Sequence, residues 1–158
     1  MMKSLLLATL VLVSAHASAE GQIASLVNFS STAARPTTAE GETNVTSIIN
    51  ASMEYTLPEN ISLYGGLSFV IGETFENSVS FGSRYYSATP ALQILPGIPM
   101  WSFIGGGVSF FDETVYYPEA GFRIGISDAS RLDIFVKILN SSSDTYDKHV
   151  MVGAGLTF

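Results

Sequence analysis

The sequence predicts an all-β fold: eight antiparallel strands in up-and-down order, closed into a barrel. Three observations carry this. Apolar and polar residues alternate with period two in segments of roughly 9–13 residues. Turn-forming clusters separate the segments, and stripes at helical spacing are absent. The connectors also alternate in character, which is what up-and-down order requires.

Gln22–Ser30 is the first segment, and it ends at the polar stretch Ser31–Asn44. Val45–Leu57 alternates most clearly. Val45, Ser47, Ile49, Ala51, Met53, Tyr55 and Leu57 share one face. Thr46, Ile48, Asn50, Ser52, Glu54 and Thr56 share the other. Pro58-Glu59-Asn60 is a tight turn. Ile61–Gly72 follows, then the acidic loop Glu73–Asn77, then Ser78–Thr89. Pro90–Pro99 reads as a proline-rich connector. In Met100–Phe111 the facing is divided, with Trp101 and Phe103 against Val108 and Phe110, and a bulge would reconcile them. Val115–Ser127 puts Tyr116, Ala120, Phe122, Ile124 and Ile126 on one side. After the Asp128-Ala129-Ser130 turn, Arg131–Asn140 sets Leu132, Ile134, Val136 and Ile138 against Asp133, Phe135 and Lys137. The polar loop Ser141–Lys148 precedes the last segment, His149–Phe158. A Gly-apolar-hydroxyl-Phe pattern recurs at Gly66–Phe69, Gly107–Phe110 and Gly155–Phe158. Glycines at such places fit strands that bend round a small barrel.

Composition narrows the class. The 158 residues are 47% hydrophobic but only 13% charged, about half the usual charged share. That is too apolar for disorder and sparsely charged for a soluble surface. There is no cysteine, which excludes disulfide frameworks, thiolate metal sites and cysteine nucleophiles. A net charge of −7 disfavours nucleic acid as a partner. Residues 1–19 read as a signal peptide: Lys3, an apolar run from Leu5 to Val13, and Ala17-Ser18-Ala19 before Glu20. Residues 20–158 are then one barrel domain.

Charge also decides which side of the strands faces inward. The strand charges are Glu54, Arg84, Glu119, Arg123, Asp133 and Lys137. They are too few to cover the outside of eight strands. Facing inward, they balance, three against three. The Pro58–Asn60 turn sets Glu54 opposite Tyr64. The Asp128–Ser130 turn, with 127 opposite 131, places Arg123 diagonal to Asp133 and Lys137, and Glu119 diagonal to Lys137. The apolar faces are then left for hydrocarbon, and closure removes the edges hydrocarbon forbids. Tyr55, Tyr85, Trp101 and Phe158 fall at one rim, and Phe29, Phe69, Phe110 and Tyr116 at the other, as interface girdles do.

Val150, Val152, Ala154, Leu156 and Phe158 alternate to a terminal Phe. This resembles the final-strand signature of bacterial outer-membrane β-barrel proteins. With the signal peptide and the acidic longer loops, the chain resembles the OmpA-like transmembrane-domain class of the outer membrane β-barrel family. The resemblance implies a small structural protein of the Gram-negative outer membrane. It implies contact with outer-membrane lipid and lipopolysaccharide, and recognition of the C-terminal strand by the barrel-assembly machinery. It implies extracellular acidic loops suited to surface interaction, no catalytic role, and no cofactor or metal. No motif specifies the extracellular partner.

Other chemistries find thinner support. A lipid A-modifying enzyme would centre on His149, beside Asp147 and after Ser141, Ser142 and Ser143, but no His-x-Ser pattern is present. A narrow pore would run past Arg84, Arg123 and Lys137. Gly105-Gly106-Gly107 lies in a strand and lacks the remainder of a phosphate loop. The acidic loops have no calcium-loop spacing. A secreted lipocalin-like barrel would carry a Gly-x-Trp near its first strand, whereas the only Trp is Trp101.

Overall fold

In the computed structural model, the described residues are 21–36, 45–72, 75–95 and 97–158. The expected signal peptide, most of the first polar loop with Glu40 and Glu42, and Glu73 lie outside them. The strands are β1 (Gln22–Ala34), β2 (Val45–Thr56), β3 (Ile61–Gly72), β4 (Phe75–Tyr86), β5 (Leu92–Leu95), β6 (Ile98–Phe110), β7 (Thr114–Gly125), β8 (Arg131–Ile138) and β9 (Val150–Thr157). No helix occurs among the described residues.

The sheet order is β4-β3-β2-β1-β9-β8-β7-β6-β5, and β4 also pairs with β6. That second pairing closes a ring of eight antiparallel up-and-down strands. β5 stands outside the ring and pairs only with the start of β6, as Leu92↔Met100 and Leu95↔Ile98. The Pro90–Pro99 stretch is therefore not a plain connector. Its middle forms a short hairpin that continues β6 past the end of β4, and β6 begins at Ile98. Gly97 makes that turn at φ 81°, where a side chain would be strained.

Strand ends differ modestly from the sequence reading. β1 runs on to Ala34, with a bulge between Thr32 and Ala34 against β9. β4 starts at Phe75, because Phe75, Glu76 and Asn77 pair with Ile71, Val70 and Phe69. Tight turns join strands at the end holding residues 57–60 and 126–130. Asn60 completes the first at φ 63°, a left-handed conformation that Asn tolerates.

The register explains the facing. Glu54 pairs with Tyr64 as expected. The second turn differs. It spans residues 126–130, closed by Ile126 N–H and Ser127 N–H donating to Ser130 O. Gly125, not Ser127, pairs with Arg131. The whole β7–β8 register shifts by two residues, so Arg123 lies directly opposite Asp133 and Glu119 directly opposite Lys137. A shift of two keeps the inward face inward.

No bulge interrupts the divided segment 100–111. β6 keeps one register with β7 from Met100 to Phe110 and one with β4 from Phe103 to Phe110. Phe103, Gly105, Gly107 and Ser109 face inward, and Ile104, Gly106, Val108 and Phe110 face outward. Trp101 shares the inward set and packs near Gly125 and Pro99. It is therefore not a girdle residue. Tyr85 and Phe158 are exposed at that rim, and Phe29, Phe110 and Tyr116 toward the other; Tyr55 and Phe69 are only half-exposed, and Phe75, stacked on Phe69, is exposed in its place.

The wall is inside-out relative to a soluble barrel. Leu63, Leu67, Val79, Phe81, Ile104, Ile134, Val136, Val152 and Leu156 are exposed, while Glu54, Arg84, Glu119, Arg123, Asp133 and Lys137 are buried. Glu76 on β4 and Arg131 on β8, close to the strand ends, are half-buried. The β7–β8 ladder has one gap. It runs to Glu119↔Lys137, skips Pro118, and resumes as the single bridge Tyr116↔Asn140. Pro118 has no N–H to donate there.

Candidate functional site in the barrel lumen

The lumen is narrow, so its contents follow from which inward residues are small. Gly82 (β4) and Gly107 (β6) face inward. A Cβ on either would collide with a tyrosine ring, Tyr64 at Gly82 and Tyr117 at Gly107. The two glycines let these rings lie across the neighbouring strands, and their hydroxyls meet at 3.3 Å.

Around them sits a braced set of charges. Arg84 (β4) donates from Nε to Glu119 Oε1 (2.8 Å), from Nη2 to Glu119 Oε2 (3.1 Å) and from Nη1 to Asp133 Oδ2 (2.7 Å). Arg123 (β7) donates from Nε and Nη2 to the two oxygens of Asp133, both at 2.7 Å, and from Nη2 to Thr157 Oγ1 at 3.1 Å. Its Nη1 lies 3.0 Å from Glu54 Oε2, an ion contact without hydrogen-bond alignment. Glu54 Oε1 accepts from Ser62 (2.7 Å) and Tyr86 (2.9 Å). Tyr64 donates to Glu119 Oε1 at 2.9 Å. These side chains come from β2, β3, β4, β7, β8 and β9, so the network spans the lumen.

Aromatic faces complete the cage. The Arg84 guanidinium carbon lies 4.5 Å from the Phe103 ring centroid, and that of Arg123 lies 4.5 Å from Tyr86. Lys137 departs from expectation. It is opposite Glu119 in register, yet forms no ion pair among the described residues. Its Nζ sits 5.0 Å from the Tyr117 ring centroid. Buried charges are tolerable only when paired and hydrogen-bonded, and bidentate guanidinium–carboxylate contacts supply this for both arginines. The arrangement cross-braces the wall and leaves neither guanidinium free for a ligand. Asn28, Ser52, Ser78 and Ser80 add inward polar atoms with no partner among the described residues, so part of the β1–β4 wall is wettable.

The loop end is different. Val45, Ile48, Val70, Phe111, Val115, Tyr117, Leu139, Tyr146 and Met151 form one buried apolar cluster. The sequence reading missed this layer. It placed Val45 outward, but a bulge between Val45 and Ser47 turns Val45 in. Ile48 and Val70 carried a signal, since both share the polar parity of their strands. Tyr64, Tyr86 and Tyr117 did too, lying at inward positions beside Ser62, Arg84 and Glu119.

Residues 139–149 fold over this cluster. The Tyr146 ring stacks on Phe111 at 5.3 Å, and its hydroxyl donates to Glu76 Oε2 at 2.6 Å. Burial raises the Tyr146 hydroxyl well above its ordinary value, and the Glu76 hydrogen bond and nearby carboxylates add to the rise. Ser142 donates to Glu113 and Ser141 to Thr114 O.

The structure does not assemble a nucleophilic site at His149. The imidazole is buried and its Nδ1 faces Asp147 O, the backbone carbonyl, at 3.0 Å. The Asp147 carboxylate instead pairs with Lys148 Nζ at 3.0 Å and accepts from Ser141 N. Lys148 holds the Asp147 carboxyl below its usual range, and Asp147 raises the Lys148 ammonium. Of the serines singled out, Ser141 and Ser142 donate elsewhere and Ser143 Oγ accepts from Thr145 N. Among the described residues, no group of three or more metal-ligating side chains comes together.

Compared with known protein families and with curated proteins, the sequence matches none.

Proposed function

We propose that the protein is a small, non-enzymatic outer-membrane β-barrel of the OmpA-like class, exported by its first 19 residues. The supporting observation is the inversion of the wall: apolar side chains cover the outside while six strand charges are buried inside. Soluble monomers rarely expose contiguous apolar patches beyond a few hundred Å². Here exposed large apolar side chains lie on seven of the eight ring strands, and β2 adds the exposed Ala51. The height fits as well. A 12-residue strand such as β2, rising about 3.3 Å per residue and tilted about 40°, stands about 30 Å tall. That is the thickness of the hydrocarbon core.

On this reading the turns at 57–60 and 126–130 face the periplasm. The acidic connectors, with Asp112, Glu113, Asp144 and Asp147, face outward for surface interaction. Lipid and lipopolysaccharide surround the wall, and the assembly machinery reads the outward row Val152, Ala154, Leu156, Phe158. The ion network favours a braced, occluded lumen over a narrow pore.

A heat-modifiability gel on isolated outer membranes tests the proposal. A folded membrane barrel resists SDS and migrates differently before and after boiling. The expected result is that shift, in the outer-membrane fraction. A soluble periplasmic protein with no shift would overturn the reading.

A further inference from the structure

We propose that residues 139–149 form a hinged lid over an apolar cup at the loop end of the lumen, held closed in this structure. The lid lies at one end of the barrel and would close it whatever medium surrounds the wall. Strands supply the cup: Val45 and Ile48 from β2, Val70 from β3, Val115 from β7 and Met151 from β9. Connectors supply its filling. Phe111 and Tyr146 both lie outside the strands and stack on each other at 9°. Tyr146 reaches from the β8–β9 connector to Glu76 on β4, on the far side of the ring. That hydrogen bond latches the free edge of the lid.

Three features leave the closed state poised. Lys148, at the base of the lid, has φ 56°, a left-handed conformation that is costly for a non-glycine residue. His149 Nε2 is buried with no partner among the described residues, a cost relieved when water reaches it. The wall below the other base is held by the isolated bridge Tyr116↔Asn140. Leu139 N–H donates to His149 O at 2.9 Å, which ties the two bases together as a hinge.

The chain has no cysteine, so one introduced thiol reports on the cup. Val70→Cys, in the full chain folded in detergent micelles, is treated with a charged methanethiosulfonate. The expected modification is slow. It becomes about tenfold or more faster when Tyr146→Phe is added, because a hydrogen bond to a carboxylate is worth at least that ratio. Equal rates in the two folded variants would overturn the lid. If Val70→Cys does not fold, amide exchange on the unaltered chain decides. Tyr146 and Asp147 amides, which donate to Ser143 O, should exchange well before the hinge amide of Leu139. Equal protection of all three would overturn the proposal.

Discussion

Arg84 on β4 and Asp133 on β8 meet inside the barrel, with Nη1 2.7 Å from Oδ2. Arg123 binds the same carboxylate from β7. Asp133 is therefore the joint of the network, fully buried and shared by two guanidinium groups. Asp133→Asn keeps the shape and removes the charge. It should cost about 3–5 kcal/mol, the usual loss when one partner of a buried pair is removed. Urea unfolding of the refolded chain measures this. A loss below about 1 kcal/mol, the scale of an exposed pair, would mean that water screens the lumen.

The outer wall gives a second test. Leu67 lies midway along β3 and is 41% exposed. In a bilayer, Leu67→Arg should destabilise by about 2–4 kcal/mol, as a basic side chain does at the midplane of a barrel. On a water-facing wall the same change stays within about 0.5 kcal/mol. Refolding equilibria in lipid vesicles separate the two outcomes.

Much of this was legible beforehand, and the reason is periodicity. Ile61–Gly72 carries its own boundaries, because Pro58-Glu59-Asn60 starts it and the alternation stays in phase. The inward charges could be found because each sits on the polar parity of its strand. What escaped came from features that break period two or act beyond it. The turn after Gly125 takes five residues where a three-residue turn was expected, since Ser130 O accepts two amides. That moved Arg123 from diagonal to opposite Asp133. The bulge at Val45 reversed one side chain. Of the apolar layer only Ile48 and Val70 showed, by their parity; Phe111, Leu139 and Tyr146 lie outside the observed strands, where alternation says nothing.

A third prediction concerns Gly107. An added side chain there meets the Tyr117 ring and hydroxyl. Gly107→Val should cost about 1–3 kcal/mol by overpacking and should move Tyr117 away from Tyr64. Denaturation reports the first effect, and tyrosine fluorescence of the folded chain the second. A neutral result would show that the rings do not cross their neighbouring strands.

Tyr146 supplies a pH test with a definite sign. Its ionisation is raised in the fold, so its contribution is complete below the ordinary tyrosine value near 10. The contribution is lost as pH climbs from there toward the raised value. Alkaline titration followed by tyrosinate absorbance should lose one of its late-titrating groups when Tyr146→Phe is made. If the Tyr146→Phe titration differs only by a tyrosine ionising near 10, the hydroxyl is exposed and Glu76 does not hold it.

Pro118 interrupts the rungs between β7 and β8. A closed cylinder has no natural place to tear, since every strand of the ring has a neighbour on each side. A missing rung creates one. Pulled or heated, this wall should part along the line between Pro118 and Ile138, beginning at the rim where only Tyr116 and Asn140 hold. The fracture would then run toward the rung where Glu119 faces Lys137, unzipping the cylinder lengthwise from a flaw written by a single residue.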